Sequence, residues 1–465
     1  MIVRIFFLIF ILFSFLLSSV DMEGFYEGQY GRSYESDIFN WNIWEPNLYL
    51  ETRLYGDPVE NSNFYIKFYS DKDYSNSEKP LVVLAEGHIA FSGDKNNNGF
   101  RTTFFTRESQ HYWLDGSMLG IINTGSVNNS GNGQGVRFDL WHTYNGSMSY
   151  VFSDFSQDGG DDIHLFRYRQ SLFNNKINTG LFFQRKYYPT GEVKDYNQVV
   201  GYDIKIRTGR YYLTTEIAAS EVPSDSLISN LTSSYDKQDF LKSNFAIKSE
   251  LRGLVFGTPK LGYWFFIPGV FSYGNTYRNY MGNDEYNKHG YWINSYYLVP
   301  ERAITFVLNY SQYQKIVAET ITVLSDSLQL KNIYDPTTNI YSEIYIEFIN
   351  GFKGKIAFNK KDEERQGEKY RHYDLFSEIS VENRLAKLLG QFKIKDLGEV
   401  WEKHIMGLEL SVNLTNEWKF FTRGMIANDR AGSRYSVLTE LKYSMTGNSE
   451  LYIQYGPNYW GQYGL

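Results

Sequence analysis

The chain has 465 residues, no cysteine, and a formal charge of −7 from 46 basic and 53 acidic residues. The lack of cysteine removes disulfides, thiolate metal sites, a cysteine nucleophile and a cysteine-linked lipid anchor. The acidic balance weighs against a nucleic-acid partner.

The first twenty residues carry a single charge, Arg4. Residues 5–17 are almost wholly apolar, and Ser18, Ser19 and Val20 precede Asp21. A charged start, an apolar stretch too short to span a bilayer and small residues predict a signal peptide over 1–20, cleaved near residues 19–21. Residues 21–45 alternate poorly and are expected to form a first strand, a tail or a plug.

From residue 46 the dominant pattern is an alternation of period two. Phe64, Ile66 and Phe68 oppose Tyr65, Lys67 and Tyr69. Val200, Tyr202, Ile204 and Ile206 oppose Asp203, Lys205 and Arg207. Ile340, Ile344, Ile346 and Phe348 oppose Tyr341, Glu343, Tyr345 and Glu347. Met406, Leu408, Leu410 and Val412 oppose Glu409, Ser411 and Asn413, and Tyr435 and Val437 oppose Arg434 and Ser436. Each such strand has one apolar and one polar face.

Asn98-Gly99, Asn145-Gly146 and Asn350-Gly351 suit tight hairpins. Longer loops are expected over 108–134, 223–238, 273–290, 312–338 and 360–370, and weak helical character over 381–389. Pro268 is awkward inside a paired strand. No Pro- or Ser-rich linker divides the chain.

The aromatic content is 18%, with 40 Tyr, 34 Phe and 9 Trp. Mean hydropathy is nevertheless negative. Abundant aromatics without long apolar runs fit an outward apolar band alternating with interior residues, with aromatic girdles at both membrane interfaces. The predicted fold class is all-β: a large closed antiparallel transmembrane β-barrel of about 22 strands, roughly 18–24, over residues 46–465.

Residue patterns for chemistry are sparse. The seven histidines include no HExxH or other local metal spacing, so no metal or other cofactor is expected. Asp94 to Gly99 matches the opening of a calcium loop, but Phe105 stands where a bidentate Glu is required, and a hairpin turn is the better reading. Carboxylates are plentiful, but no GxSxG elbow or P-loop is present, and no enzymatic activity is expected. Trp41, Trp44, Trp113 and Trp141 suit sugar stacking or the interfacial girdle equally.

Charges that alternate with apolar residues must face water if the other face meets lipid. The candidate lumen residues are Arg101, Arg107, Arg137, Asp139, Asp203, Lys205, Arg207, Glu343, Glu347, Lys353 and Lys355. They either filter solutes by charge and size or form ion pairs that hold strand register.

The signal peptide, alternating strands, Asn-Gly turns and Tyr/Phe abundance together resemble a porin-type bacterial outer-membrane protein. The resemblance is architectural, rests on no specific motif and carries over no functional residue. It implies residence in the outer membrane, with lipid and the insertion machinery as partners and passage of small solutes, sugars or other organic molecules. Two alternatives differ in function: a structural or adhesive barrel without transport, and a soluble exported carbohydrate-binding protein. The last would need both faces of several strands buried.

Overall fold

The computed structural model describes residues 20–29, 32–34, 41–43, 47–57, 59–72, 83–95, 98–108, 111, 118–121, 133–142, 144–154, 162–190, 193–221, 244–282, 285–324, 327–349, 351–365, 368–446 and 449–455. The expected signal peptide, apart from Val20, lies outside these residues, as do the expected loop at 223–238, Trp44, Trp113 and the last ten residues.

In chain order the strands are β1 (Val20–Gln29), β2 (Arg32–Tyr34), β3 (Trp41–Ile43), β4 (Asn47–Gly56), β5 (Ser62–Lys72), β6 (Val83–Lys95), β7 (Asn98–Thr106) and β8 (Gln134–His142). Then follow β9 (Gly146–Asp154), β10 (Asp162–Leu172), β11 (Ile177–Thr190), β12 (Val193–Thr208), β13 (Tyr211–Glu221), β14 (Phe245–Thr258), β15 (Gly262–Tyr273), β16 (Lys288–Val299) and β17 (Ile304–Leu324). The remainder are β18 (Ser327–Ile349), β19 (Phe352–Arg365), β20 (Glu368–Glu382), β21 (Ala386–Lys395), β22 (Lys403–Asn413), β23 (Trp418–Asp429), β24 (Gly432–Thr446) and β25 (Ser449–Tyr455).

Twenty-three of these form one antiparallel sheet, and β2 and β3 pair separately. β1 pairs with β4, and from there each strand neighbours the next in sequence. Among the described residues no ladder joins β25 back to β1. The chain divides into two compact units. The first comprises residues 1–206, 215–247 and 276–286, and the second 207–214, 248–275 and 287–465.

The second unit shows most clearly why these residues form these strands. Across β17–β24 the cross-strand register runs Phe306–Ile344–Ile356–Ser377–Phe392–Met406–Ile426–Tyr435. The neighbouring row on the same face runs Ile304–Ile346–Gly354–Ile379–Gly390–Leu408–Gly424–Val437. Most large apolar members of these rows are exposed, Ile356 and Leu408 at 59% and Ile379 at 57%, while Ile304, Ile346 and Phe392 are half-buried. On the other face, Gln391 donates to Glu378 at 2.7 Å and Arg423 donates to Gln391 at 3.1 Å, while Ile405, Met425 and Ala427 cluster out of solvent. The arrangement inverts that of a water-soluble sheet, whose apolar face is covered.

In the first unit the apolar face is exposed at Phe104, Tyr150, Phe152, Leu181, Val200 and Tyr202. β5 departs from this pattern, since Phe64 and Ile66 are buried.

Three sequence expectations are corrected. Residues 312–338 form no long loop: β17 and β18 continue as a hairpin to the Leu324–Ser327 pair, with a bulge between Ile316 and Ala318. β-Branched Ile316, Val317, Thr320, Ile321, Thr322 and Val323 favour the extended ladder there. Residues 360–365 are likewise strand, paired up to Arg365–Glu368, and Lys360–Asp362 (2.7 Å) and Lys361–Glu363 (2.6 Å) make same-face ion pairs along β19. Residues 381–389 are not helical but a hairpin, whose turn is held by Asn383 Oδ1 accepting the Leu385 and Ala386 N–H groups, both at 2.9 Å. Pro268 lies within β15 opposite Ile293.

Candidate functional site

The charged face of the first unit is built by strand parity. Arg101 in β7 lies opposite Ser92 and Asp139, beside a recess also lined by Asp57, Asn61 and Asn63. Arg137 donates to Asp139 at 2.8 Å, and the Ser149 hydroxyl donates to the same carboxylate. Further along, Arg167 donates to Asp203 at 2.6 Å and lies over the Phe182 ring at 5.5 Å. Gly180 makes this pair possible, since a Cβ there would stand 2.5 Å from Asp203 Oδ2. Towards β4, Lys67 reaches Glu51 at 3.1 Å and Arg53 reaches it at 2.5 Å.

Two loop segments fold onto this face. Gln184 on β11 donates to Asn279 Oδ1 at 2.6 Å, and Asn279 Nδ2 donates to the Gly120 carbonyl at 3.3 Å. Asn197 on β12 accepts the Tyr280 N–H at 3.0 Å and donates to the Arg278 carbonyl at 3.2 Å. Ser220 on β13 accepts the Arg278 N–H at 2.8 Å, and Glu216 accepts the Leu119 N–H at 3.0 Å. Met281 joins Phe105, Val151, Ile163 and Leu165 in one buried cluster. Leu119, Tyr277 and Asn279 are excluded from solvent. Residues 118–121 and 276–286 thus cover part of a wall that strand parity makes polar, and side-chain amides, the Ser220 hydroxyl and the Glu216 carboxylate satisfy loop backbone groups that burial would otherwise leave unpaired.

A second cluster sits where β7 ends. Arg107 adopts φ +59°, donates its N–H to the Gly133 carbonyl and its guanidinium to the Leu84 carbonyl, both at 2.7 Å. This turn points Glu108 back towards β6, where both its oxygens lie 2.8 Å from His88 Nδ1. His111 Nε2 contacts the same carboxylate. Burial alone pushes the Glu108 carboxyl up, but hydrogen bonds and charge from His111 and His88 outweigh it and bring it down to about 2.

Of the other sequence candidates, Lys205 lies opposite Asn178, and Arg207 lies over the Tyr212 ring at 5.3 Å. In the second unit Lys355 pairs with Glu343 at 2.9 Å, and Glu347 stands opposite Lys353. The structure therefore brings together Arg137 with Asp139, Arg101 beside Asp139, and Glu343 with Lys355. Asp203 pairs instead with Arg167, and Arg107 anchors a loop.

Sequence reasoning missed Arg167, Glu216, Gln184 and Asn197, as well as the His88–Glu108–His111 group. One signal for the latter was available. A two-residue turn between Lys95 and Asn98 places residue 88 opposite 105, and Glu108-x-x-His111 follows directly.

These features define an all-β protein whose one sheet face is apolar and exposed while the other is charged, ion-paired and partly covered by the chain's own loops. No family model and no curated protein matches this chain. Among solved structures it is similar to the siderophore receptor PirA from Pseudomonas aeruginosa, at 10% identity and a TM-score of 0.45, over 94% of this chain and 76% of that one. It is also similar to the copper transporter OprC, at 9% identity and a TM-score of 0.44, over 94% and 76%. A third match is Wzi from Escherichia coli, an outer-membrane protein involved in group 1 capsule assembly and a carbohydrate-binding β-barrel, at 10% identity and a TM-score of 0.37, over 75% and 81%.

Proposed function

We propose that the chain is exported by a cleaved signal peptide and works as a porin-like outer-membrane channel for small hydrophilic solutes, sugars among them. The observation that carries this reading is the pair of exposed apolar rows across β17–β24. At ~4.8 Å per strand those eight strands span roughly 38 Å, and the exposed apolar residues continue beyond the two rows at Leu308, Phe348, Val381 and Leu388, a larger area than the few hundred Å² that soluble monomers usually leave uncovered. Lipid is the solvent that such a face suits.

A sheet in lipid cannot leave a free edge, because each unpaired backbone group costs several kcal/mol there. The reading therefore includes closure of the sheet into a barrel after insertion by the outer-membrane machinery. The charged face then lines a wet lumen, and ion-paired rows such as Arg137–Asp139 and Glu343–Lys355 filter solutes by charge and size. The loop segments 118–121 and 276–286 narrow the passage.

The coverage of the wall by these loops also favours a second reading, a structural barrel with a shut lumen. Planar-bilayer recording separates the two. The channel reading expects discrete conductance steps from the purified mature protein, and larger steps once residues 276–286 are replaced by a short Gly-Ser link. Silence from both proteins removes transport. Conductance from the loop-replaced protein alone selects the shut barrel.

A further inference from the structure

We propose that His88, Glu108 and His111 bind one divalent transition-metal ion, Zn²⁺ foremost, and that the ion ties the segment after β7 to β6. The proposal does not depend on the channel reading. One ligand atom from each residue lies within 4.8 Å of the other two. The donors come from two places in the chain, His88 on β6 and the Glu108–His111 turn, in which the His111 N–H donates to the Glu108 carbonyl at 3.3 Å.

Two imidazoles and a carboxylate form the borderline donor set that zinc and its neighbours prefer, whereas calcium and magnesium take oxygen ligands. With metal–ligand bonds of ~2.0–2.2 Å, two tetrahedral ligands stand ~3.3 Å apart. His88 Nδ1 is 2.8 Å from each Glu108 oxygen, so admitting the ion opens that contact by about half an ångström and the closer His111–Glu108 contact by more.

The surroundings suit such a site. Glu108 is 2% exposed. The Phe105 ring lies 4.9 Å from that of His111, and Tyr65 lies 5.9 Å from that of His88, which limits how the imidazoles can turn. Arg107, next in sequence, aims its guanidinium at the Leu84 carbonyl rather than at Glu108. Three protein ligands leave a fourth position for water or another donor.

The test uses detergent-folded mature protein stripped with a chelator. Co²⁺ is titrated while its ligand-field absorption is read, and Zn²⁺ competition is followed by calorimetry. One ion per chain is expected. His88→Asn and His111→Asn should each weaken binding by at least the roughly 10–100-fold that loss of a supporting partner costs. Absence of stoichiometric binding, or binding unchanged in both variants, overturns the proposal and leaves a hydrogen-bonded carboxylate–imidazole cluster. If the variants do not fold, X-ray absorption of the zinc-loaded wild type decides. Two imidazole ligands with oxygen support the site, and one imidazole or none overturns it.

Discussion

Placing an arginine at Leu408 distinguishes a lipid-facing sheet from a soluble one. Leu408 is the sixth of the eleven residues of β22, and its side chain is exposed between Gly390 and Gly424. With ~3.4 Å per residue and a strand tilt of ~40°, each two-residue step changes depth by ~5 Å. Leu408 then sits near the middle of an apolar band ~25 Å tall, with positions 404 and 412 about 10 Å to either side. Arginine at the mid-plane costs about 2–4 kcal/mol, falling to about 0–1 kcal/mol near the interfaces. Leu408→Arg should therefore lower the folding equilibrium constant roughly 30–1000-fold, and arginine at 404 or 412 should cost much less. The assay is reversible denaturant unfolding from phospholipid vesicles, read by tryptophan fluorescence. In water an exposed substitution stays within about 0.5 kcal/mol. A flat profile of that size along 404–412 would mean that this face of β22 does not meet lipid.

Arg167→Ala should cost about 1–3 kcal/mol in the same unfolding assay, because it removes the hydrogen-bonded partner of Asp203 while the charge of Arg169 stays nearby; Arg167→Ala with Asp203→Asn should recover part of the loss, and an equal loss in both contradicts the pairing. Gly351→Ala should cost about 2 kcal/mol or more, since Gly351 has φ +85° and a Cβ would strike the Glu382 carbonyl. Gly398→Ala, at φ +83° with open space around it, should cost only the conformational part, about 1–2 kcal/mol. Glu402, in the turn before β22, accepts the Gly398 N–H at 2.7 Å and contacts His404 at 2.5 Å, and these hold its carboxyl below the ordinary 4.5. A depressed folded-state value gives a contribution that is present above the ordinary pKa and lost as pH falls through the folded one. The protection factor of the Gly398 amide, its exchange measured against the intrinsic rate at each pH, should therefore hold at and above the ordinary carboxylate range and fall only at lower pH, as Glu402 protonates; an unchanged protection factor down to about pH 2 contradicts this.

Strand parity was legible because period two is a property of single residues. Met406 and Leu408 against Glu409 already assign the two faces of β22, and the register confirms that parity across eight strands. Turn chemistry placed the hairpin at Asn145, where φ is +56°, and the one between Ile349 and Phe352, whereas Asn98 and Gly99 lie inside β7, paired with Lys95 and Asp94, so that turn falls two residues earlier than the Asn-Gly pair. The segments 312–338 and 360–365 misled because Asp, Asn, Ser, Lys and Glu suggest solvent-exposed loops, whereas a hairpin extended by β-branched residues and same-face ion pairs along β19 tolerates them. The site was less legible. That Leu119, Tyr277 and Met281 turn in against β9–β13 depends on contacts spanning up to 159 positions, as between Asn279 and Gly120. Arg167 and Asp203, 36 apart, meet only because Gly180 leaves room.

The central claim is that the apolar face of the sheet meets lipid while the charged face meets water. A chain without cysteine permits a clean single-cysteine spin-label scan of residues 403–413 in proteoliposomes. Labels at 406, 408, 410 and 412 should be relaxed by membrane-dissolved oxygen, and those at 407, 409 and 411 by a water-soluble nickel chelate. Labels at the even positions that are immobilised and reached by neither reagent, as in a protein interior, would contradict that claim.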